Sequence, residues 1–185
     1  MKTVLRWALA AMLVAAAWAV TLVAPSDDAG RDAFVTPMAA GERGAGRNIA
    51  ATVTDVRIAD AVAAADGWTA EGNWLVVDLD AEAVVDQPSG YLRGAVLLIG
   101  DRTFSASTRG PDEMTLLDAQ LVPGVPMSGS LMFELPDDAL QSAGVLRLSA
   151  STTSWGDTVL ELPIDLTAAP RLDEIDVADR EWTNP

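Results

Sequence analysis

Three acidic side chains recur at every second position of one apolar segment. Asp78, Asp80 and Glu82 alternate with Leu79 and Ala81, so in a β-strand the three carboxylates share one face, about 7 Å apart. Ca²⁺ takes roughly six to eight oxygen ligands, which makes the row a candidate calcium site. A flat strand directs its side chains apart, however, and no D-x-D-x-D-G loop is present. We favour a solvated outer face that discourages pairing between sheet edges.

Two pairs of adjacent acids lie beside predicted turns, Asp112 with Glu113 and Asp137 with Asp138. Two carboxyl groups about 5 to 10 Å apart across a cleft can cleave a glycosidic bond. Nothing in the sequence brings these pairs together, and acids are common in turns because their side chains bond the nearby backbone. We therefore expect a turn role and keep a carboxylate hydrolase as the least favoured function.

Three tryptophans, Trp68, Trp74 and Trp155, lie in or beside segments bounded by glycine. Exposed aromatic side chains on loops often anchor sugars or protein partners. The alternative, which we favour, is that these rings cap the ends of a hydrophobic core.

Several residue types that carry chemistry are missing. The chain has no histidine and no cysteine, and its one lysine is Lys2. This removes imidazole bases, thiolate nucleophiles, disulfides and zinc-thiolate sites, and it removes Schiff-base and P-loop lysines from everything after residue 25. We therefore predict a protein that is not an enzyme, with no catalytic residues, no cofactor and no metal.

The charge balance limits the partners. The chain has 27 acids and 12 bases, and because Lys2 and Arg6 are two of those bases, the part after Pro25 has 27 acids against 10 bases, a formal charge of −17. Such a charge disfavours nucleic acid and anionic bilayer surfaces.

Residues 1–25 are predicted to be an N-terminal transmembrane anchor. Residues 7–24 are apolar except for Thr21, and as a helix they reach about 27 Å, enough to cross a bilayer core. Lys2 and Arg6 precede the run, and Asp27 and Asp28 follow it. The positive-inside rule therefore keeps the N-terminus cytoplasmic and exports the rest as the outer part of a single-pass cell-membrane protein. The alternative is a signal peptide cleaved after Ala19, which would make the protein secreted.

Residues 26–46 are rich in small and turn-forming residues and are predicted to form a flexible linker, in which Phe34 and Val35 offer one extra edge strand. Residues 47–167 then show the period of two and the turn residues of an all-β sandwich. The eight strands predicted there cover residues 48–58, 74–84, 91–99, 102–108, 114–121, 128–135, 145–152 and 158–166.

Four local features refine this prediction. A change of parity places a bulge near Thr54 or Asp55, and residues 59–65 are either a short helix or a loop. Residues 91–99 are apolar on both parities, which is typical of a strand covered on both faces, and Gly100 and Asp101 turn it into a hairpin. Pro163 requires an edge or a bulge.

Residues 168–185 carry five acids and are predicted to be a solvated, mobile acidic tail. The alternative is a tethering segment that docks on a partner through Leu172, Ile175 and Trp182.

Three phrases together resemble a known family: VTDVR at 53–57, GNWLVVDL at 72–79 and LVPGVPMSGSLMFELP at 121–136. They are similar to bacterial membrane-anchored or secreted domains of unknown function classed as DUF4352, whose fold is the MPT63-like immunoglobulin-like sandwich. The resemblance covers roughly residues 40–166. It implies an extracytoplasmic immunoglobulin-like β-sandwich and no ligand or catalytic residue, and the linker here is shorter than is usual in that family.

We therefore expect a non-enzymatic, membrane-tethered interaction or accessory domain of the bacterial cell envelope, whose partner is a protein or an envelope component. The alternative is a sensor domain that binds a small molecule or a cation.

Overall fold

A computed structural model describes residues 2–23, 33–153 and 155–183. It divides the chain into two compact units, residues 1–32 and residues 33–185. The described part of the first unit is a single helix, α1 (Lys2–Val23). Across the described ranges, no helix is both long enough and apolar enough to cross a membrane.

The second unit is built almost entirely of strands. In chain order its described strands are β1 (Phe34–Pro37), β2 (Arg43–Ala45), β3 (Ile49–Ala64), β4 (Thr69–Ala83), β5 (Gly94–Ile99), β6 (Arg102–Ser105), β7 (Met127–Glu134), β8 (Ala143–Ser149), β9 (Thr158–Asp165), β10 (Arg171–Leu172), β11 (Ile175–Val177) and β12 (Glu181–Trp182). Two short 3-10 helices, Asp112–Met114 and Ala139–Gln141, lie in the connections.

The strands form two sheets. One has the order β1-β9-β8-β5-β6, and the other has the order β10-β3-β4-β7-β12, with β2 and β11 also paired to β3. The inward residues of β4, such as Leu75, Val77 and Leu79, join Leu97 and Leu146 of the other sheet in the main hydrophobic core. This confirms the prediction of an all-β sandwich and the predicted inward face of residues 74–84.

The outer face of β4 is also apolar along part of its length. Trp74 and Val76 point away from the main core and belong to a second buried cluster with Met132 of β7 and Val62 of β3. This sheet is therefore covered on both faces where β4 passes residues 74–77, which the period of two did not predict.

Strand β3 confirms one local prediction and corrects another. Its pairing with β4 shifts register between Val53 and Asp55, at the predicted bulge. The alanine-rich stretch 59–65, predicted as a helix or a loop, continues β3 as far as Ala64. The helix propensity of alanine is overridden because Ala59, Val62 and Ala64 are buried in the second cluster.

The hairpin from β5 to β6 is confirmed, since Ile99 pairs with Arg102 across the Gly100–Asp101 turn. Strand β5, however, is not buried on both faces. Ala95, Leu97 and Ile99 are buried while Val96 and Leu98 are only half-buried, because one face of this five-stranded sheet meets the other sheet.

Residues 114–121, predicted as a strand, do not form one. They continue from the 3-10 helix Asp112–Met114 into turns, in which Asp118 adopts a positive φ of 61°. The apolar alternation has another cause: Met114 is buried in the second cluster, while Leu116 and Leu121 are buried in the main core.

Pro163 lies in β9 beyond the last residue that β1 pairs, because the β1 register ends at Pro37 opposite Glu161. Its missing N–H therefore coincides with an open sheet edge, as predicted. Strand β1 itself is the extra edge strand predicted at Phe34 and Val35, and β2 pairs with residues 50–52 of β3, so residues 33–46 contribute strands to the sandwich. Residues 26–32 of the predicted linker lie outside the described residues.

The C-terminal segment corrects the expectation of a solvated tail. Strands β10 and β11 pair in parallel with β3, and β12 pairs antiparallel with β7. Residues 170–183, here named the strap, therefore run from one edge of the outer sheet face to the other. Two strap side chains, Ile175 and Val177, are buried because they complete the second cluster.

Replacing Ile175 by alanine should lower the free energy of unfolding by about 2 to 5 kcal/mol, the usual cost of truncating a buried isoleucine. Leu172→Ala is the matched control, because Leu172 lies in the same strap but is 43% exposed, and it should change stability by less than about 0.5 kcal/mol. Chemical denaturation of both variants measures the difference. If both variants were as stable as the wild type, the segment would be a solvated tail and not a packed strap.

Candidate functional site

The row of acids predicted from the sequence lies on the outer face of the seven-stranded sheet. Asp78, Asp80 and Glu82 alternate along β4 with Leu79 and Ala81, whose side chains are in the main core. The structure therefore places the three carboxylates on one side of the strand, as predicted.

Each of the three carboxylates has a polar partner on another strand of the same sheet. Asp78 forms an ion pair with Arg57 and accepts a hydrogen bond of 2.6 Å from the Ser130 hydroxyl. The Ser128 hydroxyl donates to Asp80 at 2.5 Å. Across the described residues, no group of three or more histidine, cysteine, aspartate or glutamate side chains is placed to hold a metal ion.

Glu82 is held by an arginine of β2, the short strand that pairs with β3. Its Oε1 accepts hydrogen bonds from Arg43 Nε at 2.8 Å and Nη2 at 2.6 Å. The carboxylates of the row are therefore held in cross-strand pairs: Asp78 and Asp80 accept from serines of β7, Asp78 also pairs with Arg57 of β3, and Glu82 pairs with Arg43 of β2.

Arg57 is the central cation of this face. Its side chain is 27% exposed and lies between Asp78 and Asp55. The Nε is 3.0 Å from Asp55 Oδ2 but lacks the alignment of a hydrogen bond, and that atom is shielded from solvent. One guanidinium thus serves two carboxylates and hydrogen-bonds only one of them well.

The strap and the sheet enclose a shallow groove of about 270 Å³. Among the described residues that line it, Arg57 is the only base, whereas the acids come from both sides: Asp78 and Asp80 from β4, and Asp176, Asp179 and Glu181 from the strap. The sequence did not predict this groove, because it depends on pairings between the end of the chain and residues 62–64 and 127–128.

A second polar cavity of about 240 Å³ lies beside the strap, where the 3-10 helix Asp112–Met114 meets Arg109 and Arg180. Both guanidiniums already have partners. Arg109 pairs with Glu134 at 2.8 Å, and Arg180 Nη1 donates to the carbonyl oxygens of Asp112 and Thr115 at 2.6 and 3.0 Å.

The two predicted acid pairs have structural roles that are visible in their contacts. Asp137 accepts a hydrogen bond of 2.6 Å from the Asn73 amide, and Asp138 pairs with Arg102 at 2.8 Å. In the other pair, the backbone carbonyls of Asp112 and Glu113 accept hydrogen bonds from Arg180. Both pairs stand beside a turn, as expected, and their contacts connect segments of the fold.

The three tryptophans lie in different environments in the structure. Trp74 is fully buried, with its Nε1 donating to the Ala70 carbonyl at 3.1 Å, and Trp68 packs against the same second cluster. Trp155 is 66% exposed. The expectation of a core role holds for the first two, although they serve the outer cluster and not an end of the main core.

The connection from β9 into the strap is held by a local turn. Asp165 Oδ1 accepts hydrogen bonds from the Thr167 hydroxyl at 2.7 Å and from the Thr167 N–H at 2.9 Å. The hydroxyl, followed by the backbone N–H, holds the pKa of Asp165 below its ordinary value of 3.8. The carboxylate therefore stays ionised in the folded protein under mildly acidic conditions.

Comparison with known proteins supports the fold and goes no further. No family model and no curated protein matches the chain, so the resemblance to DUF4352 stays a prediction. The chain is similar to an uncharacterized β-sandwich protein of Clostridium difficile, with 12% identity, a TM-score of 0.51, and coverage of 76% of this chain and 99% of that one. A candidate lipoprotein of Bacillus subtilis aligns with 13% identity and a TM-score of 0.45, over 66% of this chain and 38% of that one. Together with the two sheets described above, the first likeness shows a β-sandwich.

Replacing Arg57 by methionine should lower the free energy of unfolding by about 1 to 3 kcal/mol, because a half-buried Asp78 loses its charged partner. Arg43→Met is the matched control: Arg43 also pairs with an acid of β4 but is 54% exposed, so we expect a loss of at most about 1 kcal/mol. Urea denaturation of both variants tests this. An Arg57→Met variant as stable as the wild type would show that the ion pair between Arg57 and Asp78 adds nothing to the fold.

Proposed function

We propose that this protein is an exported, non-enzymatic interaction or accessory domain of the bacterial cell envelope, tethered to the outer face of the membrane by its N-terminal segment. The sandwich is taken to be of the immunoglobulin-like type that the resemblance implies. The partner expected on this basis is a protein or an envelope polymer.

The observation that carries the non-enzymatic part is the pairing of the outer-face carboxylates. Asp78 and Asp80 are engaged by Arg57, Ser130 and Ser128. An acid or base must keep a free face toward its substrate, whereas these groups hold neighbouring strands together. The missing histidine, cysteine and outer lysine support the same conclusion.

The export part is supported by the sequence of the N-terminal segment. Its basic start, apolar run and acidic exit follow the pattern that directs the following chain out of the cytoplasm. The chain has no cysteine and hence no disulfide, so the fold is stabilised by apolar side chains buried on both faces of β4.

The full chain, expressed with a C-terminal tag in a bacterial host, should be found in the membrane fraction, and the tag should be degraded when protease is added to intact spheroplasts. Lys2→Glu with Arg6→Glu is the control, since it removes the charge asymmetry that sets orientation. Sequencing the mature N-terminus distinguishes a retained anchor from a cleaved signal. A tag protected from protease in the wild type, and recovered in the cytosol, would overturn the proposal.

Calcium distinguishes an interaction domain from a cation sensor. Because each acid of the row is already engaged by side chains of neighbouring segments, millimolar CaCl2 should leave the Tm unchanged relative to NaCl at equal ionic strength. A ligand that binds only the folded state raises stability by RT ln(1 + [L]/Kd), about 2.7 kcal/mol at a hundredfold excess over Kd. A rise in Tm with calcium that Asp80→Asn abolishes would favour the sensor.

A further inference from the structure

The strap is attached to the sandwich as a separable piece. It begins after a short connection that follows Leu166, and none of residues 170–183 belongs to the main hydrophobic core. It is attached by two short parallel pairings with β3, one antiparallel pairing with β7, the buried side chains of Ile175 and Val177, and hydrogen bonds of Arg171, Arg180 and Thr183. Lifting the strap would therefore leave the two-sheet core closed.

What lies beneath the strap is an apolar seat. Among the described residues the second cluster has ten buried members, of which Ile175 and Val177 come from the strap. The seat consists of the other eight: Ala59, Val62, Ala64, Ala70, Trp74, Val76, Met114 and Met132. Without the strap, these side chains and one edge of β3 would face water, and an exposed edge beside an apolar patch is a template for an incoming strand.

The seat selects a particular extended sequence. Ile175 and Val177, two residues apart, enter the cluster from one side of a strand. Three residues later, the guanidinium of Arg180 donates to the carbonyl oxygens of Asp112 and Thr115. The backbone N–H of Arg180 donates to the Glu113 carbonyl at 2.6 Å. Apolar-x-apolar-x-x-Arg in extended form is therefore the pattern that this seat accepts.

A glycine makes room for the strap. A Cβ at Gly129 of β7 would lie 3.1 Å from Arg180 Cβ and 2.9 Å from Leu116 Cγ. The strap thus passes closely over this position, and a side chain there would have to displace both the strap at Arg180 and the Leu116 side chain.

Electrostatics oppose the closed strap. Asp176, Asp179 and Glu181 line the same groove as Asp78 and Asp80, and Arg57 is the one base in that lining. When the strap is closed, these like charges lie close together and repel one another. The strap also contributes only two buried apolar side chains, far fewer than the strands of the main core. It is therefore the part of the second unit best suited to local opening.

We propose that the seat also accepts the strap of a second copy of this protein, so that two molecules exchange their C-terminal segments. A second copy is the occupant because its strap carries the same Ile175, Val177 and Arg180 at the same spacing, and because a segment outside the main core can be exchanged without unfolding either core. In the exchanged pair, each strap completes the other molecule's outer cluster.

Two full-length variants with different tags test the exchange in mild detergent. Ile175→Asp with Val177→Asp spoils the strap and keeps the seat, whereas Gly129→Val obstructs the passage of any strap over β7 at Arg180 and leaves the side chains of its own strap unchanged. Each variant alone should be a monomer by light scattering after size exclusion, and an equimolar mixture should contain a 1:1 complex. A mixture that stays monomeric at high micromolar concentration, with both variants folded by circular dichroism, overturns the proposal.

A labelled peptide of residues 170–183 gives a second measurement. It should bind the strap-spoiled variant at least tenfold more tightly than the wild type, because the wild-type strap competes at an effective concentration on the order of millimolar. A peptide carrying Ile175→Asp and Val177→Asp is the control. Equal binding of the peptide to both proteins contradicts the proposal.

If the strap-spoiled variant does not fold, full-length Arg180→Ala replaces it, since it loosens the strap without burying a charge. The outcome is independent of where the protein resides.

Discussion

Strand β4 carries apolar side chains on both faces between residues 74 and 77, and both faces must be kept from water. Leu75 and Val77 face the main core, while Trp74 and Val76 face outward. A two-layer sandwich covers only one side of each sheet. The strap, the extension of β3 to Ala64 and the 3-10 helix that delivers Met114 all follow from the need to cover the second side.

Beyond the outer apolar patch, the same face of the sheet becomes polar. Asp78, Asp80 and Glu82 continue the row that Trp74 and Val76 begin, and each carboxylate takes a partner from another strand of the sheet. Ser128 links this polar row to the strap, since its hydroxyl contacts both Asp80 and Thr183. Cross-strand pairs of this kind stabilise a sheet by modest amounts each, so the acids are explained by strand pairing without a ligand.

Much of the sandwich could be predicted from the sequence because its signals are local. The bulge after Val53, the Gly100–Asp101 hairpin and the inward face of residues 75–83 each follow from patterns within a dozen residues. The groove could not be predicted in this way. It depends on parallel pairing between residues 175–177 and 62–64, which has no signature in either segment, and acidic residues between the strap's apolar ones made it look solvated. The strand predicted over residues 114–121 was wrong for a related reason. The apolar side chains of this segment are buried in two different clusters, and their spacing imitates the alternation of a strand.

Strand β1 has a mechanical consequence for any attachment at the N-terminus. Four register pairs, from Phe34 with Thr158 to Pro37 with Glu161, join β1 to β9, and no residue of β1 is part of the main core. A pulling force that enters through residue 33 would be borne first by this short ladder. When these pairs separate, the N-terminal tether becomes a few residues longer while the main core stays closed. Strand β1 would therefore detach before the sandwich itself unfolds.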